Sequence, residues 1–184
     1  MKTVGVLFAN GFEEVEGITQ VDFLRRAKVE VITLGVEGTE IEGGHGIVVK
    51  TDKSVEEGRS IQFDGIVIPG GMPGAENVAS SEAARSIITR CFKEGGVVGA
   101  ICAAPAVVLS PMGILDGKRA TCYPGFEKNF QDKNIEFTEE RVVKDGTIIT
   151  SRGPGTAAEF AVALIREFQG EAAAKSIHDK TLQK

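Results

Sequence analysis

The chain reads as an α/β protein: a doubly wound, mostly parallel sheet with helices on both faces. Three observations predict this. Apolar runs of four to seven residues alternate with amphipathic stretches of ten to fourteen. The apolar runs are nearly continuous, as in strands buried on both faces. Glycine, proline or asparagine closes them, which a strand does not continue through. With 184 residues and 42% apolar content, one domain over 1–184 is expected. The Pro/Gly-dense stretches 69–74 and 152–155 lie between apolar segments and read as tight loops rather than linkers.

In chain order, residues 3–9 form the first buried strand, ended by Asn10-Gly11. A helix follows, with Val15, Ile18, Val21 and Leu24 as its apolar stripe and Glu14, Gln20, Asp22, Arg25 and Arg26 on its wet side. It ends before a strand at Val29–Leu34, completing a β-α-β unit. Residues 38–51 are expected to make a small hairpin on the edge of the sheet. Gly65–Ile68 is a strand closed by Pro69-Gly70-Gly71, then come helix 81–94, strand Gly96–Ile101 and helix 103–109. A short strand at 118–122, a helical segment at Phe126–Phe130 and strands near Ile135–Thr138, Arg141–Val143 and Thr147–Thr150 lead to a Gly-Pro-Gly turn. Helix Thr156–Phe168 is apolar on more than one face and must be covered by sheet and a neighbour. Residues 176–184 read as a polar tail.

The formal charge of −5, with both signs mixed along the chain, supplies no basic stripe for nucleic acid or anionic lipid, so small neutral or mildly polar substrates fit better. There is no 18-residue apolar run, and the N-terminus turns polar too soon for a signal peptide, so a cytoplasmic location without a membrane segment is expected. Three cysteines without a C-x-x-C pair suit reduced thiols. The two histidines, His45 and His178, have no second ligand at metal spacing, so neither metal nor cofactor is expected.

In a doubly wound sheet ligands bind beyond the carboxyl ends of the strands. Three such ends carry chemistry here: Glu13, Glu14 and Glu16 after the first strand, Gly70-Gly71 after the strand at 65–68, and Cys102 after the strand at 96–101. Cys102 stands between a strand and a helix of small residues, the setting of a nucleophile elbow. Its neighbours should be free of positive φ while it is not. A thiol at a helix N-terminus has its thiolate stabilised and its pKa lowered. Free cysteines also pack as small buried hydrophobes, which is enough to explain Cys91 beside Ile87, Ile88 and Phe92. Cys122 is open to either reading. So is Glu16: in a first helical turn a carboxylate favours the dipole whatever else it does, or it is buried against the thiol with a raised pKa. The amides at Gly71 and Ala103 form a candidate oxyanion hole, with Gly70 allowing close backbone approach.

Phe12–Gly17 (FEEVEG), Ile68–Gly74 (IPGGMPG), Ala100–Pro105 (AICAAP) and Thr150–Thr156 (TSRGPGT) occur in order over about 160 residues. In this combination the chain resembles the ThiJ/PfpI superfamily, in the branch of the parkinsonism-associated protein. The resemblance implies a flavodoxin-like sandwich, usually a homodimer, with Cys102 as nucleophile, Glu16 as the acid beside it, and Gly71 and Ala103 as amide donors. It implies a pocket near Arg26, His45, Tyr123 and Pro154, and a cysteine prone to oxidation to the sulfinic acid. Where many members carry a histidine this chain has Tyr123, which with an ordinary pKa near 10 is a poor general base at neutral pH. That disfavours a cysteine peptidase or amidase. The expected activity is cofactor-independent glyoxalase or deglycase chemistry on small carbonyls such as methylglyoxal, with a redox-responsive chaperone or sensor as the alternative.

Overall fold

A computed structural model describes residues 1–183. Strand β1 (Thr3–Phe8) lies near the middle of a seven-stranded sheet because its side chains from Val4 onward are buried on both faces. Helix α1 (Glu14–Arg26) crosses to β2 (Glu30–Gly35), parallel to β1. Next come β3 (Glu40–Glu42), β4 (Val48–Lys50), the two-residue edge strand β5 (Lys53–Ser54) and the single-turn helix α2 (Val55–Gly58), which opens with a capping box between Ser54 and Glu57. β6 (Gly65–Ile68) is entirely buried and returns beside β1. Helices α3 (Gly74–Ser80) and α4 (Glu82–Lys93) precede β7 (Val97–Ile101). β8 (Arg119–Ala120) and β9 (Glu136–Phe137) pair in a sheet of their own. β10 (Val142–Asp145) and β11 (Ile148–Ser151) finish the main sheet, whose order is β10-β11-β7-β6-β1-β2-β5. Every neighbouring pair is parallel except β10 with β11. Helices α5 (Ala157–Gln169) and α6 (Glu171–Lys180) close the chain.

Four expectations need correction. The buried face of α1 is Glu14, Glu16, Gly17, Gln20 and Leu24, while Val15 and Ile18 are exposed. The helix is rolled so that Gly17 fits under Phe8 and Phe12, and Gln20 Nε2 donates to the Ala157 carbonyl of α5 at 2.9 Å. The β3–β4 hairpin is a separate two-stranded sheet, with β5 taking the main-sheet edge. Behind Cys102 the chain forms a π-helical turn at Pro105–Leu109, a wider winding often found at functional sites. The C-terminal segment is helical to Lys180, because Ala174 and Ile177 recur three residues apart and are buried. Helix α3 lies outside the sequence expectation altogether.

Candidate active site at the Cys102 elbow

β7 delivers Cys102 to the carboxyl edge of the sheet with φ 64°, while Ile101 and Ala103 on either side are not left-handed. Two neighbours hold this sparsely populated backbone. The Cys102 N–H donates to the Ser151 carbonyl at 2.9 Å, and its carbonyl accepts the Tyr123 N–H at 2.8 Å. The residue is 9% exposed.

Glu16 reaches the thiol from the first turn of α1. It is fully buried; its Oε2 accepts the Gly70 N–H at 2.8 Å, and its carboxyl is hydrogen-bonded to Cys102. Its Oε1 has no hydrogen-bond partner among the described residues. Gly70 permits the approach: a Cβ there would lie 2.5 Å from the Cys102 Cβ and 2.7 Å from Glu16 Oε2.

Burial pushes the Glu16 carboxyl up to about 7, against the opposing hydrogen bonds from the Gly70 amide and Cys102. The thiol moves opposite to the sequence expectation. Burial, and then the Glu16 charge, push Cys102 up to about 12, although the amides of Gly71 and Ala103 hydrogen-bond to the sulfur and pull it down. The expected lowering fails because dehydration at 9% exposure outweighs two donors. The penalty from Glu16 exists only while that carboxylate is ionised. A proton on Glu16 removes the repulsion, so the two groups titrate as one coupled pair.

The Tyr123 ring packs edge-on against Phe126, 6.2 Å between centroids, and stands beside Gly153. Pro154 follows and opens a short 3-10 turn, with its own ring exposed. His45 is held by Glu14: its N–H donates to Glu14 Oε1 at 2.7 Å and its Nδ1 lies 2.8 Å from Oε2. Glu13, Glu14 and His45 each bring one potential ligand atom within 4.8 Å of the others, a grouping that sequence spacing did not reveal. Arg26 does not join the site. It is ten residues along α1 from Glu16, about 15 Å by helical rise, and its Nε donates to Asp22 at 2.8 Å. Cys122 is fully buried and its thiol is pushed up to about 12, by burial first and Glu127 second. Gly153 is the site residue that the sequence reading missed; it lies within an already noted Gly-Pro-Gly turn, and only the fold brings it against Tyr123 and Glu16.

The parallel sheet and the cysteine elbow define an α/β protein of the flavodoxin-like class with a thiol–carboxyl pair at its carboxyl edge. The DJ-1/PfpI family model matches residues 2–167, and the chain belongs to that family. It is similar to DJ-1 homolog B of Arabidopsis thaliana, 37% identical over 96% of this chain but only 40% of that protein. The chain thus spans less than half the length of that relative. Drosophila melanogaster dj-1beta is 37% identical over 92% of this chain and 91% of its own. A protein named a deglycase from Pyrococcus abyssi is 35% identical over 82% of this chain and 89% of its own. The solved structure of oxidized Toxoplasma gondii DJ-1 superposes with TM-score 0.94 at 37% identity, covering 99% of this chain and 98% of that one. No helix of the described residues is long and apolar enough to cross a membrane.

Proposed function

We propose that the chain is a cofactor-independent enzyme of glyoxalase or deglycase type, using Cys102 to attack small reactive aldehydes such as methylglyoxal. The observation that carries this is the buried Glu16 carboxyl, pushed up to about 7 while hydrogen-bonded to a thiol at a positive-φ elbow. A carboxyl near neutrality both accepts and returns a proton at physiological pH. The deglycase name of the archaeal relative supports the same reading.

The thiol proton passes to Glu16 and the sulfur adds to the aldehyde carbon. The C–S bond forms, and the C=O π pair becomes an oxyanion received by the Gly71 and Ala103 amides. Glu16 protonates it, giving a hemithioacetal. The Glu16 carboxylate then removes the hydrogen on that carbon as a proton, and the resulting enediol takes a proton back at the adjacent carbon. The product is a 2-hydroxyacyl thioester; water cleaves its C–S bond, releasing the 2-hydroxy acid and restoring the thiol. One carbon is oxidised and its neighbour reduced, so the electrons balance within the substrate. On an early glycation adduct the sulfur displaces the amine and enters the same sequence. Lactate formation from methylglyoxal by wild type and Cys102→Ser tests the reading; equal rates would overturn it.

The same proposal covers one domain over 1–184, a cytoplasmic setting suited to its three free thiols, and a two-fold homodimer. Val15, Ile18, Ile47 and Val48 are large apolar side chains left exposed on α1 and the hairpin, and such surface favours association. A monomer by light scattering at micromolar concentration removes the dimer. The oxidized Toxoplasma gondii relative supports a second reading, a redox sensor acting through Cys102. In that case peroxide sensitivity survives in a Glu16→Gln variant whose lactate formation falls about 10²-fold.

A further inference from the structure

The sequence of α1 favours a roll that the helix does not adopt. Val15 and Ile18 belong to its apolar stripe yet face solvent, while Glu16, Gln20 and Leu24, each four residues on, form the buried row. Apolar contact carries no direction and does not hold such a roll by itself. Two hydrogen bonds on the row do have direction. Glu16 Oε2 accepts the Gly70 N–H at 2.8 Å, and one turn later Gln20 Nε2 donates to the Ala157 carbonyl at 2.9 Å. Among the described residues the second is the one hydrogen bond between α1 and α5. It does little for the stability of the fold. Gln20 is fully buried with no partner for its Oε1, and the Ala157 carbonyl, at the start of α5, already accepts the helical bond from Ala161. A buried amide half satisfied on an acceptor already in use is no better for the fold than an apolar side chain of its size. Its placement is what distinguishes it. The segment leading into Ala157 supplies the Ser151 carbonyl that accepts the Cys102 N–H at 2.9 Å, and Gly153, where an added Cβ would lie 3.9 Å from Glu16 Oε1. Glu16 thus stands at one end of the Gln20 link and the support of Cys102 at the other.

We propose that Gln20 is a positioning residue for the thiol–carboxyl pair: its bond to Ala157 fixes the roll of α1 at which Glu16 meets Cys102. Side-chain tips lie roughly 6 Å from a helix axis, so a roll of about 10° moves a carboxyl oxygen by about 1 Å. A misplacement of about 1 Å in a catalytic pair costs on the order of 10²-fold in rate. Without the link, Val15 and Ile18 are free to turn inward and carry Glu16 off the sulfur. The inference deepens the function proposed above and rests on it for the rate alone, because the position of the carboxyl has a readout of its own.

Gln20→Met keeps the length of the side chain and removes the donor. Its urea midpoint should equal or exceed that of wild type, since no unpaired amide oxygen stays buried. The decisive readout is the titration of the Glu16 carboxyl carbon by NMR. Burial is the first cause of its rise from 4.5 to about 7, and Cys102 and Glu13, the titratable groups that face it, are left intact. A carboxyl swung toward water loses that cause, so its midpoint should fall by at least about one pH unit. With it, kcat for lactate formation from methylglyoxal should fall about tenfold or more while KM stays within about twofold, as for a group that acts on the reacting pair and not on substrate binding. A Glu16 titration that stays near the wild-type value, or a urea midpoint well below wild type, overturns the proposal. If the wild type forms no lactate, the enzymatic reading falls and the Glu16 titration still decides this one. Should Gln20→Met fail to fold, Gln20→Asn decides: one methylene shorter, it keeps the amide but draws it back from the Ala157 carbonyl. The same fall in the Glu16 midpoint supports the link, and an unchanged midpoint overturns it.

Discussion

Cys102 and Cys122 lie one hydrogen bond apart, since the residue after Cys122 donates its N–H to the Cys102 carbonyl. Both are buried, and burial is the first cause that pushes both thiols up to about 12. Depth therefore cannot distinguish a nucleophile from a packed sulfur. The difference is in what faces the sulfur. Cys102 has a left-handed backbone, two amides and a carboxyl that titrates near neutrality. Cys122 feels only the charges of Glu127 and Arg152 and has no amide donor among the described residues. A thiolate forms in a dry site when a neighbour can take its proton and fixed dipoles meet the charge left behind.

The hardest way to break this comparison is to remove each sulfur. Cys102→Ser is expected to lower lactate formation from methylglyoxal by at least about 10³-fold, while Cys122→Ser and Cys91→Ser stay within about twofold, as expected for a nucleophile against bystanders. Iodoacetamide at pH 7 should label Cys102 first, with peptide mapping as the check. Loss of turnover in Cys122→Ser would mean that the backbone tie between the two segments matters as much as the sulfur.

Much of the elbow was legible from local pattern, because a strand running into cysteine and then into small residues leaves the chain one way to turn, as the φ of 64° bears out. The sheet was legible from runs such as Val4–Phe8 and Ile66–Ile68, whose burial on two faces needs parallel neighbours. The orientation of α1 was not. Hydrophobic spacing points to Val15 and Ile18, but the buried face carries Glu16, whose partner Gly70 lies 54 residues away. A buried carboxyl leaves no periodic trace in its own helix. The direction of the thiol shift was illegible for a related reason: a helix N-terminus is visible in sequence, whereas dehydration depends on everything packed above it. Helix α6 was missed because only Ala174 and Ile177 anchor it in a polar stretch.

Glu16 sharpens the comparison next, through one substitution with opposite effects. Glu16→Gln keeps a side-chain donor but exchanges no proton, so lactate formation should fall about 10²-fold. Stability should move the other way at high pH. The folded-state value, raised from 4.5 to about 7, means that the fold favours the neutral carboxyl. That contribution is complete below about pH 4.5 and is lost as pH rises through about 7, where an ionised group must stay buried. Glu16→Gln carries no such charge. Relative to wild type it should gain stability between pH 4 and pH 8, by roughly 3 kcal/mol at most. Urea denaturation at the two pH values checks this. A pH-independent gap would show that burial does not dominate the Glu16 environment.

The smallest effect concerns the bystander sulfur itself. Cys122 is fully buried, so Cys122→Ala deletes one heavy atom from a packed region and leaves a void smaller than a methylene pair. Deleting a single buried methylene-sized group costs about 1 kcal/mol, plus whatever the surroundings fail to close. The thiol has no hydrogen-bond partner among the described residues, so no buried acceptor there is stranded when it goes. A loss near 1 kcal/mol in urea, with lactate formation unchanged, is therefore expected. Cys91→Ala offers the matched control: it lies in α4 at 2% exposure with its sulfur 3.8 Å from the Val97 carbonyl, and burial pushes its thiol up to about 11. Similar small losses from both would show that these two sulfurs act as volume. A loss of several kcal/mol confined to Cys122→Ala would instead mean that its packing holds Tyr123, and through that amide the strained Cys102 backbone, in place.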